Sequence, residues 1–314
     1  MNNNFDIFTD SSANLNDEML QASGIKVISY HCLVNGQNTL CYENGRPFAE
    51  TAKEFYGKMS EGAEVSTSLI CEASIVEAVE PSLKAGRDVL LITIASGISG
   101  TYAQAVAASK ALKEKYPEAK FIVADSATAS LGEGLIAVNA AKLRDMGESV
   151  ESCAEWIEEN KYKQNAYLTV GDLKYLRKGG RISATLAIAG TLLNIKPIIK
   201  ADGGTPAKLT FTGRERGRKR ALEALLKAFD ENVLNPENQT VAIAHCNCEE
   251  DALKLAEAVK ERGTTDVIIE YYDLCTGAHV GPGTIALFFT GKDRRSAAAV
   301  ADAKKRGKTA AQEI

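Results

Sequence analysis

The sequence predicts an α/β protein in two parts, an open, mainly parallel α/β domain over residues 1–160 and an α+β domain over residues 161–290. Three observations carry this reading. In the first half, short apolar β-branched runs alternate with helix-forming stretches, as buried parallel strands and their crossover helices do. Those runs repeatedly end in Asp-Ser or Ser-Gly directly before a helix, the pattern of an open sheet with its site at the carboxyl ends of the strands. After about residue 160, strands and helices are grouped rather than alternating.

Taken in order, Phe5 to Thr9 is expected to be a strand ending at Asp10-Ser11-Ser12. Val27 to Val34 is a second, closed by an Asn35-Gly36 turn. Pro47 to Met59 and Ala73 to Ala85 read as helices. Val89 to Ile94 is a buried strand, followed by the Ala-rich helix Thr101 to Lys115. Phe121 to Ala124 and Leu131 to Met146 repeat that strand–helix pair. In the second part Asn165 to Val170 is a strand, and Thr185 to Leu193, apolar all round, a buried helix. Pro197 holds its neighbours extended. A hairpin around Asp202-Gly203-Gly204 leads to a strand over Leu209 to Thr212 and a basic helix from Arg214 to Phe229. Val241 to His245, Asp266 to Tyr272 and Thr284 to Phe289 are strands, with the helix Glu249 to Arg262 among them. Residues 291–314 carry no apolar stripe and read as an extra helical or disordered tail.

Composition excludes several function classes. Net charge is −4 over 314 residues, and the few aromatics are not interleaved with the basic residues. Neither a global field nor a stacking groove for nucleic acid follows. No run approaches the ~20 apolar residues of a membrane span. The start has no basic head or apolar core of a signal peptide, so a cytoplasmic location is expected. The seven cysteines are scattered, which fits reduced thiols better than a disulfide framework. Cys246 and Cys248 stand beside His245, but no second ligand pair is evident and no metal is predicted.

The chemistry concentrates in short hydroxyl- and glycine-bearing stretches. Ser96-Gly97-Ile98-Ser99-Gly100 joins a strand to a helix start, where free N–H groups and the helix dipole favour an anion. It lacks the lysine of a Walker loop, the third glycine of the dinucleotide fingerprint and the spacing of a nucleophile elbow. Ser66-Thr67-Ser68 is richer in hydroxyls than the helix cap that would explain one of them. His279 sits among small and turn-forming residues, Thr276 to Gly283, able to donate to an anion or to be a satisfied loop histidine. Arg177, Lys178 and Arg181, and then Arg214 to Arg220, are either a solvated face or a patch for an acidic partner. With three histidines and no recognisable nucleophile set, the chain is better equipped to hold an anion than to transform one.

These stretches occur in a recognisable order. Thr9-Asp10-Ser11-Ser12, Thr67-Ser68, Ser96 to Tyr102, Asp125-Ser126 with Gly132-Glu133-Gly134, Leu176 to Arg181, Asn194 to Pro197 and Gly277 to Gly283 together resemble the DegV family, from about residue 5 to residue 290. The resemblance implies two domains with a long-chain fatty acid between them, no catalysis by the chain alone, and no cofactor. It further implies a partner, the catalytic subunit of fatty acid kinase, which makes acyl phosphate for phospholipid synthesis. Carried over by motif, Thr67, Ser96, His279 and Arg181 bind the carboxylate, supported by Ser68, Gly97, Ser99 and Gly100. Arg177 and Arg216 are assigned to kinase docking, and the apolar stretch Thr185 to Leu193 to the wall around the acyl tail. The chain departs from the family's common Thr-Ser-Gln-Pro at Leu69-Ile70 and from Ser-Ser-Gly at Ala95. A phosphate-binding enzyme using the Ser96 loop and His279, or a lipid buffer without a kinase, are the rival readings.

Overall fold

The computed structural model describes residues 5–182 and 194–300. The first half runs β1 (Phe5–Asp10), α1 (Asp17–Ser23), β2 (Lys26–Ile28), β3 (His31–Val34), β4 (Gln37–Leu40), α2 (Phe48–Ser60), β5 (Val65–Ser68), α3 (Glu72–Lys84), β6 (Asp88–Thr93), α4 (Thr101–Lys115), β7 (Phe121–Asp125), α5 (Leu131–Asp145) and α6 (Val150–Asn160). The second half runs β8 (Gln164–Thr169), α7 (Lys174–Lys178), β9 (Ile195–Ala201), β10 (Leu209–Arg216), α8 (Arg218–Asn232), β11 (Thr240–His245), α9 (Glu249–Lys260), β12 (Asp266–Tyr271), α10 (Leu274–Val280) and β13 (Ile285–Thr290).

Three sheets result. A parallel sheet has the order β2-β1-β6-β7, with α3 and α4 on one face and α5 and α6 on the other. A six-stranded sheet, β10-β9-β8-β13-β11-β12, is antiparallel except for its β11–β12 pair. A small antiparallel sheet, β4-β3-β5, caps the carboxyl end of the parallel one. Chain order diverges from β1 to β2 on one side and β6 on the other, so the crevice beyond Asp10 and Thr93 is the expected ligand position of an open sheet.

Helix α5 is the layer shared by the two large sheets, touching β1 and β6 on one side and β8, β11 and β13 on the other. Two glycines permit this fit. A Cβ on Gly132 would lie 2.6 Å from Thr128 Oγ1 and 3.1 Å from the Phe288 ring, and one on Gly134 would lie 2.4 Å from the Ala13 carbonyl. The six-stranded sheet is divided by face. Outward, Tyr167, Ile198, Ile243, Leu287 and Phe289 pack under α8 and α9. Inward, toward α5, it presents Ala166, Ala201, Ala242, Ala244 and Ala286, with Leu168, Ile199 and Phe288 among them.

Two expectations are corrected. Val27 to Val34 is two strands in two sheets, because β1 turns away after its Asp10↔Ile28 pair and the Ser11 hydroxyl takes the Tyr30 N–H at 3.0 Å. The helix expected from Arg214 starts at Arg218: Arg214 and Arg216 continue edge strand β10, which pairs through Arg216↔Ile195, and Gly217 at φ +90° makes the turn. The segment expected as a tail is anchored where it begins, and its residues 297–300 are helical. Gly291 donates to the Lys163 carbonyl, and the Arg294 guanidinium donates to the carbonyls of Asp202, Ala127, Lys161 and Tyr162 at 2.6–3.3 Å. The helix expected over Thr185 to Leu193 lies outside the described residues.

Candidate functional site

A cavity of about 300 Å³ opens at the junction of the three sheets. Each sheet supplies part of its wall: Thr67 and Ser68 from β5, Ile94, Ile98, Ser99 and Gly100 from the β6–α4 loop, and Ala166, Leu168, Ala201 and Phe288 from the inward face of the six-stranded sheet. Helix α10 adds Cys275, Thr276, His279 and Val280. Aliphatic and aromatic side chains predominate, and among the described lining residues Arg181 alone carries a formal charge.

The polar groups gather at one end. Thr67 Oγ1 lies 2.8 Å from His279 Nε2. Thr67 is on the inward-facing side of β5, opposite Cys32 of β3, so it faces the cavity rather than capping α3. His279 is in the last turn of α10, not in a loop; Asp273 caps the helix through the Thr276 N–H, and Gly281 at φ +79° ends it. Burial, with the Arg181 guanidinium beside it, pushes the His279 pKa down to about 4, so the imidazole is neutral at physiological pH. Gly179 packs directly under that ring: a Cβ there would lie 2.3 Å from His279 Nδ1. The Gly179 carbonyl in turn accepts a hydrogen bond from Arg181 Nη1. Tyr30 lines the opposite wall, its hydroxyl donating to Thr101 Oγ1 at 2.7 Å and lying 3.4 Å from Ser99 Oγ.

The structure therefore brings together Thr67, Ser68, Ser99, Gly100, Arg181 and His279. Ser96 is turned away. Its hydroxyl donates to Asp125 Oδ2 at 2.5 Å and its N–H to Asp125 Oδ1 at 3.2 Å, so the end of β7 holds it. Gly97 lets this loop meet the β9–β10 turn, where a Cβ would lie 2.2 Å from the Ala207 carbonyl. Arg177, on α7, and Arg216, at the end of β10, are exposed and do not line the cavity. Nearby Arg218 has a structural engagement with Asp251 at 2.7 Å and the Gly283 carbonyl at 2.8 Å. The sequence reading missed Tyr30, Thr276, Ala166 and Ala201, all of which line the cavity.

His245 is buried with its ring 4.3 Å from that of Tyr271, and Cys248 accepts from Arg218. Among the described residues, no group of three or more His, Cys, Asp or Glu side chains is placed to hold a metal ion, and no helix is long and apolar enough to cross a membrane.

This fold, with an apolar cavity whose polar end lies at the carboxyl ends of a parallel sheet, defines a two-domain α/β protein with an internal cavity. The sequence profile of the DegV family, described as that of an uncharacterised protein, matches residues 4–292. A DegV domain-containing protein of Clostridium perfringens is 38% identical over 288 residues, 91% of this chain and 97% of the relative. A DegV family protein from Ruminococcus gnavus, solved with vaccenic acid, has a TM-score of 0.79 and 25% identity, over 91% of this chain and 99% of its own. DegV of Bacillus subtilis, described as a fatty acid binding protein, has a TM-score of 0.76 and 28% identity, over 92% and 99%. The chain belongs to the DegV family.

Proposed function

We propose that this protein binds a long-chain fatty acid, with the carboxylate at Thr67, Ser99, His279 and Arg181 and the tail along Ala166, Leu168, Ala201 and Phe288 of the six-stranded sheet. The observation that carries the reading is the cavity itself, apolar along its length and polar where Thr67 meets His279. Each buried methylene contributes ~0.8 kcal/mol, so a long tail is held without polar contacts. The carboxylate, once desolvated, needs its oxygens satisfied, and hydroxyl donors with one guanidinium supply that. Structural relatives are described with fatty acids, which supports the same ligand class here. In this reading the chain acts in the cytoplasm without turning over its ligand. It presents the carboxylate to a fatty acid kinase, with Arg177 and Arg216 as docking residues, feeding acyl phosphate into phospholipid synthesis.

Native mass spectrometry of the purified protein, followed by lipid extraction, tests the binding. One fatty acid per chain is expected; an empty protein that takes up no added fatty acid would favour the phosphate-binding reading. Acyl phosphate formation with a fatty acid kinase, present only when this chain is added, tests the partner.

A further inference from the structure

Behind the cavity wall lies a buried acidic group that carboxylate binding leaves unused. Asp10, at the end of β1, is 1% exposed, and Glu133, on α5, is 0% exposed. Ser12 Oγ stands between them, 2.5 Å from Asp10 Oδ1 and 2.8 Å from Glu133 Oε2. A hydroxyl has one proton to give and cannot donate to two carboxylates.

The remaining bonds fix the order. Asp10 also accepts the N–H groups of Ser12 and Ile94, each at 2.9 Å, which is the setting of an anion. Glu133 Oε1 accepts from Thr9 Oγ1 at 2.8 Å, leaving Oε2 with Ser12 Oγ as its partner. The proton is therefore on Glu133 Oε2, which donates to Ser12 Oγ, which donates to Asp10 Oδ1. Burial accordingly pushes Glu133 well above the usual carboxyl range and Asp10 up to about 6.

The chain of contacts extends to the cavity. Asp10 acts electrostatically on Tyr30, which lines the cavity and whose hydroxyl donates to Thr101 Oγ1 at 2.7 Å. The titratable groups that face this centre are Glu133 from α5, Tyr30 from the β2–β3 connection, and Asp273 and Cys275 from the start of α10. All of these are neutral or negative.

We propose that binding of an anionic ligand at the Thr67–His279 end of the cavity is linked to uptake of one proton from solvent by Asp10, so that the Asp10–Ser12–Glu133 group passes from one shared proton to two. This rests on the carboxylate-binding reading above. A second carboxylate brought into a desolvated site raises the proton affinity of Asp10 through repulsion, while the ligand itself stays ionised against Arg181.

The test is calorimetric titration of sodium vaccenate into delipidated protein, in buffers of different ionisation enthalpy, at pH values bracketing the Asp10 pKa of about 6. The wild type is expected to take up a fraction of a proton per ligand, rising toward about one just above that pKa. Glu133→Gln keeps the uptake, because a neutral amide replaces a neutral acid, and Asp10→Asn abolishes it at saturating ligand. Binding without proton uptake, or uptake that survives Asp10→Asn and belongs to His279, overturns the proposal. Infrared spectroscopy with ¹³C-carboxyl vaccenate separates protein from ligand: binding must add protein carboxylic-acid intensity without protonating the ligand, and Asp10→Asn must remove that added intensity while Asp273, also raised, to about 7, is left in place. An absence of any binding would overturn the fatty-acid reading, and this proposal with it.

Discussion

Thr67 and His279 are 212 residues apart in sequence and 2.8 Å apart in space, one on the small sheet and the other on the helix between β12 and β13. Their contact joins the two halves at the mouth of the cavity. Thr67→Val keeps the volume and removes the hydroxyl. Fatty-acid affinity is expected to fall by about 1–3 kcal/mol, the cost of leaving a buried polar partner unmatched. Competition binding against a fluorescent fatty acid measures it, and unchanged affinity would remove Thr67 from the carboxylate site.

Gly179→Ala disturbs the same pair from below. The backbone at Gly179 is ordinary helical, so alanine carries no strain of its own. Its methyl would stand where the His279 ring now lies. Weaker ligand retention is expected with a thermal unfolding midpoint close to that of the wild type; a variant that keeps its ligand would show that the ring position is not needed.

The two serines of the β6–α4 loop make opposite commitments, and their alanine variants separate them. Ser99 faces the cavity, whereas Ser96 is held by Asp125. Ser99→Ala should lose more ligand affinity, and Ser96→Ala more stability, about 1 kcal/mol for its hydrogen bond. The reverse ranking in paired binding and denaturation measurements would move the carboxylate toward Gly97.

Glu133→Gln changes how stability depends on pH. A carboxyl raised in the folded state stabilises fully below its unfolded pKa and progressively less as pH rises toward the folded value. Above the ordinary glutamate value of 4.5, the wild type therefore loses ground to the variant, by about 1.4 kcal/mol per pH unit until the folded pKa is reached. Urea unfolding of both proteins at several pH values measures this. A pH-independent difference would mean that Glu133 is ionised in the fold.

Arg294 is a structural residue in a segment that reads from sequence as a tail. Burial lowers its pKa to about 10, while its guanidinium ties four carbonyls from three loops. Arg294→Ala leaves those carbonyls without their donor, and a loss of about 2–4 kcal/mol is expected in chemical denaturation. A loss under 1 kcal/mol would show that solvent replaces the donor.

Much of this was legible because strand and crossover signals are local: β1, β6, β7 and the helices α4 and α5 lie within a residue or two of expectation, whereas α1 was not read at all. What was not legible depends on long-range pairing. Whether Val27 to Val34 is one strand or two is decided by where β1 stops, and whether Arg216 is helical by the partner that β9 offers. The hydroxyls were visible as a class, but a sequence cannot show that Asp125 takes Ser96 while Ser99 faces the cavity. Nor could Glu133 stand out, since its meaning depends on a serine 121 residues earlier.

The alanine-lined inner face of the six-stranded sheet places two demands on the same space. Any larger side chain at Ala166 or Ala201 would recover the packing that an open cavity forgoes, and the empty protein would gain stability from it. Room for the ligand would shrink by the same atoms. Selection for robustness alone would close this cavity one methyl group at a time, so in the fatty-acid reading the small side chains at Ala166 and Ala201 are kept by the ligand they admit.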